Sequence, residues 1–262
     1  MEVHAHTHTA RKKWTHYFWE FLMLFLAVFC GFLAEYQLEH KIERDRAKEL
    51  AKSFYEELKN DSVNITVKYQ NRIRQENSLL YLRTYFRDSS MTNLSKTFVI
   101  HFNYAIMFRT PSLFEARTVV LEQLKNSGSL RYFKSNKLQE LIGDLSVAIN
   151  NINDRQALET SVRAEYINPL IVKHFDYDFQ VIFDQLEGKN TFEKMLAYEQ
   201  SDTVIPFKLT KLEIFDRIGA SNVMGFYSLN GLRGTRTIHF QKYIEVNAEL
   251  LKLIRKEYHI KQ

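Results

Sequence analysis

The sequence predicts an all-α protein, with one N-terminal transmembrane helix continuing into a helical-bundle soluble domain. Three observations predict it. Residues Tyr17 to Ala34, YFWEFLMLFLAVFCGFLA, hold eighteen positions with one ionisable group, Glu20. Glycine (8) and proline (3) are scarce in 262 residues, which favours long helices and few turns. Beyond the apolar run, apolar residues recur mostly at three, four or seven positions, the spacing of one helix face. The expected segments are a polar tail at 1–13, an anchor at 14–37, a long juxtamembrane helix at 38–90 and a helical soluble domain at 91–262.

In the tail, His4, His6 and His8 alternate, with His16 nearby. Neutral imidazoles ligate zinc, copper or nickel, so these three are candidate metal ligands. The plainer alternative is a disordered polar tail.

The anchor needs roughly 20 mostly apolar residues to span a bilayer. The charge-free core from Phe21 to Ala34 is shorter, and Tyr17, Phe18 and Trp19 extend it. Trp14, Trp19 and Tyr36 suit an interfacial aromatic belt. Cys30-Gly-Phe-Leu-Ala34 makes a poor cleavage site, so the expectation is an uncleaved anchor. Glu20, Ala27, Gly31 and Ala34 share one helical stripe, while Phe21, Leu22, Leu24, Phe25, Leu26, Phe29 and Phe32 cover the other faces. Small residues let helices approach closely in lipid, and a polar group on the same stripe can bond across the contact. The expected partners are therefore the lipid bilayer and either a second copy of the chain or a partner membrane protein. Two alternatives stand for Glu20: a side chain that reaches the headgroups, or an intramembrane acid on a proton or ion path.

Arg11, Lys12 and Lys13 precede the anchor, and Lys41, Arg44, Arg46 and Lys48 come after it, so the positive-inside rule nearly ties. A short basic tail before an N-terminal anchor favours a cytoplasmic tail and a translocated soluble domain.

Along the rest of the chain, Ala47, Leu50, Ala51, Phe54, Leu58, Ile65, Tyr69, Ile73 and Leu80 mark a long helix, with Asp61-Ser62 a break or kink. Residues 88–95 form a loop. Thr97 to Met107 is expected to be helix, because no partner strand is evident. Ser112 and Glu115 have capping-box spacing, predicting a helix that runs to Lys125 and stops at Asn126-Ser127-Gly128. Ser135 is placed to cap the next helix, with a stripe of Leu138, Leu141, Ile142, Leu145, Ile149 and Ile152. Asn168-Pro169 marks a helix end or a kink. Phe175, Tyr177, Phe179 and Phe183 alternate with polar residues, and Gly188-Lys-Asn reads as a turn. Two last helices are expected, roughly Thr210 to Ser228 and Thr237 to Tyr258.

The net charge is +5 with both signs interspersed, and no basic block accompanies aromatics, so nucleic acid is not implied. Cys30 is the single cysteine, which excludes an intrachain disulfide and a cysteine metal cluster. The sequence has no Walker loop, G-x-S-x-G, H-E-x-x-H or kinase signature, and no cofactor is expected. His174, Asp176 and Asp178 form a candidate cation cluster, against the plainer reading of one core-facing segment. Arg233 and His239 resemble in spacing the active-site pair of helical HEPN ribonucleases, which implies proton transfer by the histidine and phosphate binding by the arginine. The alternative is a solvated inter-helix turn.

Glu20, Gly31, Ala34 and Gln37, then Leu58-Lys-Asn-Asp61, then Leu124-Lys-Asn-Ser-Gly-Ser-Leu-Arg131 and Leu138, resemble a family of uncharacterised single-span bacterial membrane proteins common in Bacteroidota. The resemblance covers about half of the chain. It implies a bacterial inner-membrane protein with a helical body and carries no activity. The expected function is a non-enzymatic oligomeric scaffold or an accessory subunit of an envelope complex, with the soluble domain periplasmic. The alternatives are an oligomeric pore using Glu20, a ligand-sensing helical bundle, and a membrane-tethered HEPN-like ribonuclease.

Overall fold

The structure, a computed structural model, describes residues 14–260; the polar tail with His4, His6 and His8 lies outside the described residues. Among the described residues all regular structure is helical and no strand occurs. The first helix, α1 (Trp14–Asp88), runs without a break across the join between two compact units, which part after Leu50.

The first unit is the N-terminal part of α1. It holds the one helix among the described residues that is long and apolar enough to cross a membrane. Its large apolar side chains, among them Phe21, Leu24, Phe25, Phe29 and Phe32, are exposed. A helix apolar all round is at home in a protein core or in a membrane.

The second unit begins inside the stretch expected as one juxtamembrane helix, so residues 51–88 belong to the body. The reason is a seven-residue series, Ala51, Leu58, Ile65, Arg72, Leu79 and Phe86, every member of which is buried. A heptad repeat keeps one seam of a helix facing its neighbours. Tyr69, Ile73 and Leu80, expected on the buried face, are only half-buried beside it. Asp61 does not break the helix; it is buried and bonded from outside α1.

Eight further helices complete the body: α2 (Lys96–Phe102), α3 (Val119–Asn126), α4 (Asn136–Val162), α5 (Asn168–His174), α6 (Tyr177–Phe183), α7 (Thr191–Gln200), α8 (Arg217–Phe226) and α9 (Gln241–Tyr258). Ser95 caps α2, Ser135 caps α4, and Gly128, at φ 69°, takes the left-handed backbone just past α3. The expected stripe of α4 is buried at all six positions. Pro169 sits in the first turn of α5, and the chain reaches it from α4 through a π turn, Arg163–Ile167.

Three expectations are corrected. No helix starts at Ser112: after a 3-10 turn at Thr110–Ser112 the chain is irregular until α3. Side chains of α1 and α4 take its backbone groups, which are then not free to form helical bonds. The alternation of Phe175, Tyr177, Phe179 and Phe183 does not put all four on one buried face, because Tyr177–Phe183 is helical and Tyr177 is exposed. Phe179 and Phe183 lie four apart on the buried side of α6, which Asp176 caps, and Phe175 is buried just ahead of it. Helix α8 starts at Arg217, not Thr210, because Lys211 has φ 53° and the Asp216 carboxylate caps the Gly219 N–H at 2.9 Å.

The last expected turn is also absent. From Tyr227 to Phe240 the backbone stays helical in two π stretches, Tyr227–Arg233 and Thr235–Phe240, that join α8 to α9. Most π-helices are single turns. The longer ones here border the buried charges of α1 and α4.

Candidate functional site

Beside its apolar core, the second unit holds a buried polar network. Arg72 of α1 is fully buried, with all five guanidinium N–H groups used. Nε donates to Ser112 O at 3.0 Å, Nη1 to Glu159 Oε1 at 2.8 Å and Leu232 O at 3.4 Å, and Nη2 to Glu159 Oε2 at 3.0 Å and Gln156 Oε1 at 3.3 Å. The Phe240 ring lies 4.5 Å from the guanidinium carbon. Glu159 also accepts from the Thr235 hydroxyl at 2.6 Å.

One helical turn along α1, buried Glu76 accepts from Arg236 through Nε at 2.7 Å and Nη2 at 2.8 Å. The paired carboxylate holds Arg236 more firmly protonated than usual. Arg236 Nη1 also donates to the Tyr69 hydroxyl at 3.0 Å. The π stretches bring Leu232 O, Thr235 and Arg236 to these two carboxylate sites from one continuous run of chain.

The same face of α1 holds the strap from Ala105 to Leu121, irregular between Leu113 and Thr118. Gln75 donates to Ala105 O and Phe108 O, Lys68 to Thr110 O and Asn71 to Pro111 O. Asp61 accepts from Arg117 N at 2.9 Å, and Glu57 accepts from Val120 N at 2.9 Å and Leu121 N at 3.3 Å. From α4, Gln156 pairs with both backbone groups of Phe114. Glu57 thus supplies from another helix the carboxylate that the start of α3 needs. This is why the Ser112 capping box is not used.

Asp61 carries a further asymmetry. Its Oδ2 accepts from Arg117 N and from the Tyr243 hydroxyl at 2.9 Å, whereas Oδ1 has no partner. Asn247 donates to Leu58 O, and its own Oδ1 is likewise unpartnered. Burial pushes the Asp61 carboxyl above its ordinary range, against those two hydrogen bonds. Burial also pushes Tyr243 up, with the Asp61 charge beside it.

The structure places each residue singled out from sequence. Glu20, Ala27, Gly31 and Ala34 lie on the uninterrupted first helix, and Glu20 pairs with His16 at 3.2 Å. All four are exposed, and a Cβ at Gly31 would meet nothing within 4 Å. Arg233 lies 3.6 Å from Glu76. His239 is half-buried in the second π stretch, where burial and then the Arg155 charge favour its neutral form. No hydrogen bond joins Arg233 to His239 among the described residues. His174 bonds Thr210 O through Nδ1 at 2.9 Å, and Asp176 accepts from the backbone of Asp178, Phe179 and Lys208. No cluster of three or more His, Cys, Asp or Glu among the described residues is placed to hold a metal. An open apolar groove of about 350 Å³ is lined by Val162, Tyr166, Asn222, Val223 and Phe226.

Sequence reasoning missed Arg72, Gln75, Glu76, Gln156 and Glu159. A signal existed: Leu58, Ile65, Arg72, Leu79 and Phe86 form a strict seven-residue series with one arginine in it. Comparison with protein families, with characterised proteins and with solved structures finds no match to this chain.

Proposed function

We propose that this chain is a non-enzymatic, single-span protein of a bacterial inner membrane, whose helical body faces the periplasm. It assembles through its anchor and acts as a scaffold or an accessory subunit of an envelope complex. The observation that carries the reading is the first helix, apolar on every side over residues 21–34 and exposed there at every position but half-buried Leu22. Such a surface is stable in lipid and costly in water. The body supports the non-enzymatic part. The arginine and carboxylates at its centre bond one another and the strap, and a guanidinium with five acceptors has no N–H left for a substrate. Arg233 is likewise engaged with Glu76, which favours a structural role over phosphate binding. The Glu20–His16 pair at the N-terminal edge of the apolar run favours an anchor over a conduction path.

Extraction in mild detergent tests the reading. The expected result is a native mass above one chain, or co-purifying partners, together with a smaller size for the Ala27→Leu, Gly31→Leu double variant. A chain that extracts without detergent contradicts it. The apolar groove favours a second reading, a ligand-sensing bundle for small apolar molecules. A saturable rise in melting temperature with an apolar dye, abolished by Val223→Asp, would support that alternative.

A further inference from the structure

The stripe Ala27, Gly31 and Ala34 does not stop at the end of the apolar run. Leu38 and Ile42 continue it at steps of four residues, so all five stand on one face of α1. Leu38 is 58% exposed and Ile42 is 42% exposed, in a stretch whose other side chains are mostly charged. Ala47, the buried residue of this stretch, lies on the opposite side of the helix. The charges beside the stripe are sorted. Lys41, Arg44 and Lys48 lie on one flank; Glu35 and Glu39 lie on the other, with Arg46 as the exception. Asp45 and Glu49 take the next places on the stripe, so the apolar seam ends at Ile42.

We propose that this face docks a second copy of the chain, side by side and in the same direction, as a parallel helix pair running from Ala27 to Ile42. The inference rests on the assembly reading above and names its partner and geometry. Two copies inserted in one membrane must run parallel, and a two-fold axis along the seam then sets the basic flank of each against the acidic flank of the other. Opposite charges flanking a seam fix partner and orientation. A pair antiparallel across this seam would set like flanks together, which is destabilising. Steps of four, three, four and four residues average more than 3.6 per turn, the drift that gives a right-handed crossing, and small residues at the contact suit such a crossing in lipid. Leu38 and Ile42 then exclude water from each other just outside the membrane.

Disulfide cross-linking in native membranes tests this, with the full chain carrying Cys30→Ser as background. Leu38→Cys and Ile42→Cys should form covalent dimers at least several-fold faster than Glu39→Cys and Arg44→Cys, which face away from the seam. In the Leu38→Cys chain, adding Lys41→Glu should slow dimer formation, and adding Glu35→Lys to that variant should restore it. Equal rates at all four cysteines, faster rates on the flanks, or no dimer at any position overturns the proposal. Native mass in mild detergent separates the two levels. A one-chain mass sinks the assembly reading itself; a larger mass without seam cross-links leaves assembly standing and shows that another surface makes it.

Discussion

The two parts of α1 obey opposite rules although they form one helix. From Trp14 to Leu50, nearly every large apolar side chain points outward; from Ala51 to Asp88, the centre of the buried face carries Asp61, Arg72, Gln75 and Glu76. Hydrophobicity alone would assign both parts wrongly for a protein in water. The contrast teaches that a side chain is placed by what can satisfy it. The apolar run of the first part, residues 21–34, carries no charged side chain and is favoured by an apolar solvent. The second meets backbone groups that cannot form helical bonds and supplies their partners.

The sharpest way to break the second part is to remove one charge of its central pair. Arg72→Ala or Glu159→Ala leaves the other charge buried without its partner and should cost about 3–5 kcal/mol. Urea unfolding of the full chain in detergent measures it. Replacing both, Arg72→Met with Glu159→Leu, should recover part of that loss; a loss no smaller than in the single variants would show that the pair is not the unit that matters. The first part is tested by Leu24→Arg, placed in its apolar run. A charge at mid-helix carries an insertion cost of about 2.5–3.5 kcal/mol. The membrane-bound fraction should fall while the far-ultraviolet helix signal of the body persists. A body that unfolds with this variant would mean the two parts are not separate in kind.

Asp61 gives a finer test. Its folded carboxyl titrates above its ordinary value of 3.8, so folding favours the protonated form. Its contribution is full below that ordinary value and is lost as pH rises through the folded value. Glu57, Arg117 and Tyr243 face it, and Glu57 adds to the rise. Asp61→Asn keeps the shape and offers an N–H where Oδ1 is unpartnered. The variant should match the wild type in acid, exceed it at neutral pH and flatten this part of the pH profile. A variant less stable than the wild type at neutral pH refutes it. The smallest effect is expected at Glu57→Ala, about 1 kcal/mol, the usual worth of a carboxylate at a helix start. It should show as faster amide exchange in α3.

Much of the fold was legible. The long apolar first helix, the stripe of α4, the Ser95 region as a loop ahead of α2 and the stop at Gly128 all come from composition, spacing and turn chemistry. What was hidden depends on partners far along the chain. The Ser112 capping box is locally sound, but Arg72 takes the Ser112 carbonyl and Gln156 takes both groups of Phe114. The stretch between Ser228 and Thr237, expected as an inter-helix turn, is helical, and its Thr235 and Arg236 bond Glu159 and Glu76. Of the central network, only the arginine within the heptad series left a trace in sequence.

The central claim is that the apolar part of α1 lies in lipid, and Cys30, the single cysteine, sits inside it. Its side chain is exposed on the helix and lies off the Ala27, Gly31 and Ala34 stripe, so a surrounding bilayer would shield it. Labelling of native membranes with a charged maleimide is the most direct measurement. The account predicts that Cys30 stays unlabelled in intact membranes and reacts fully once they are dissolved in denaturing detergent. Full labelling in intact membranes would contradict it.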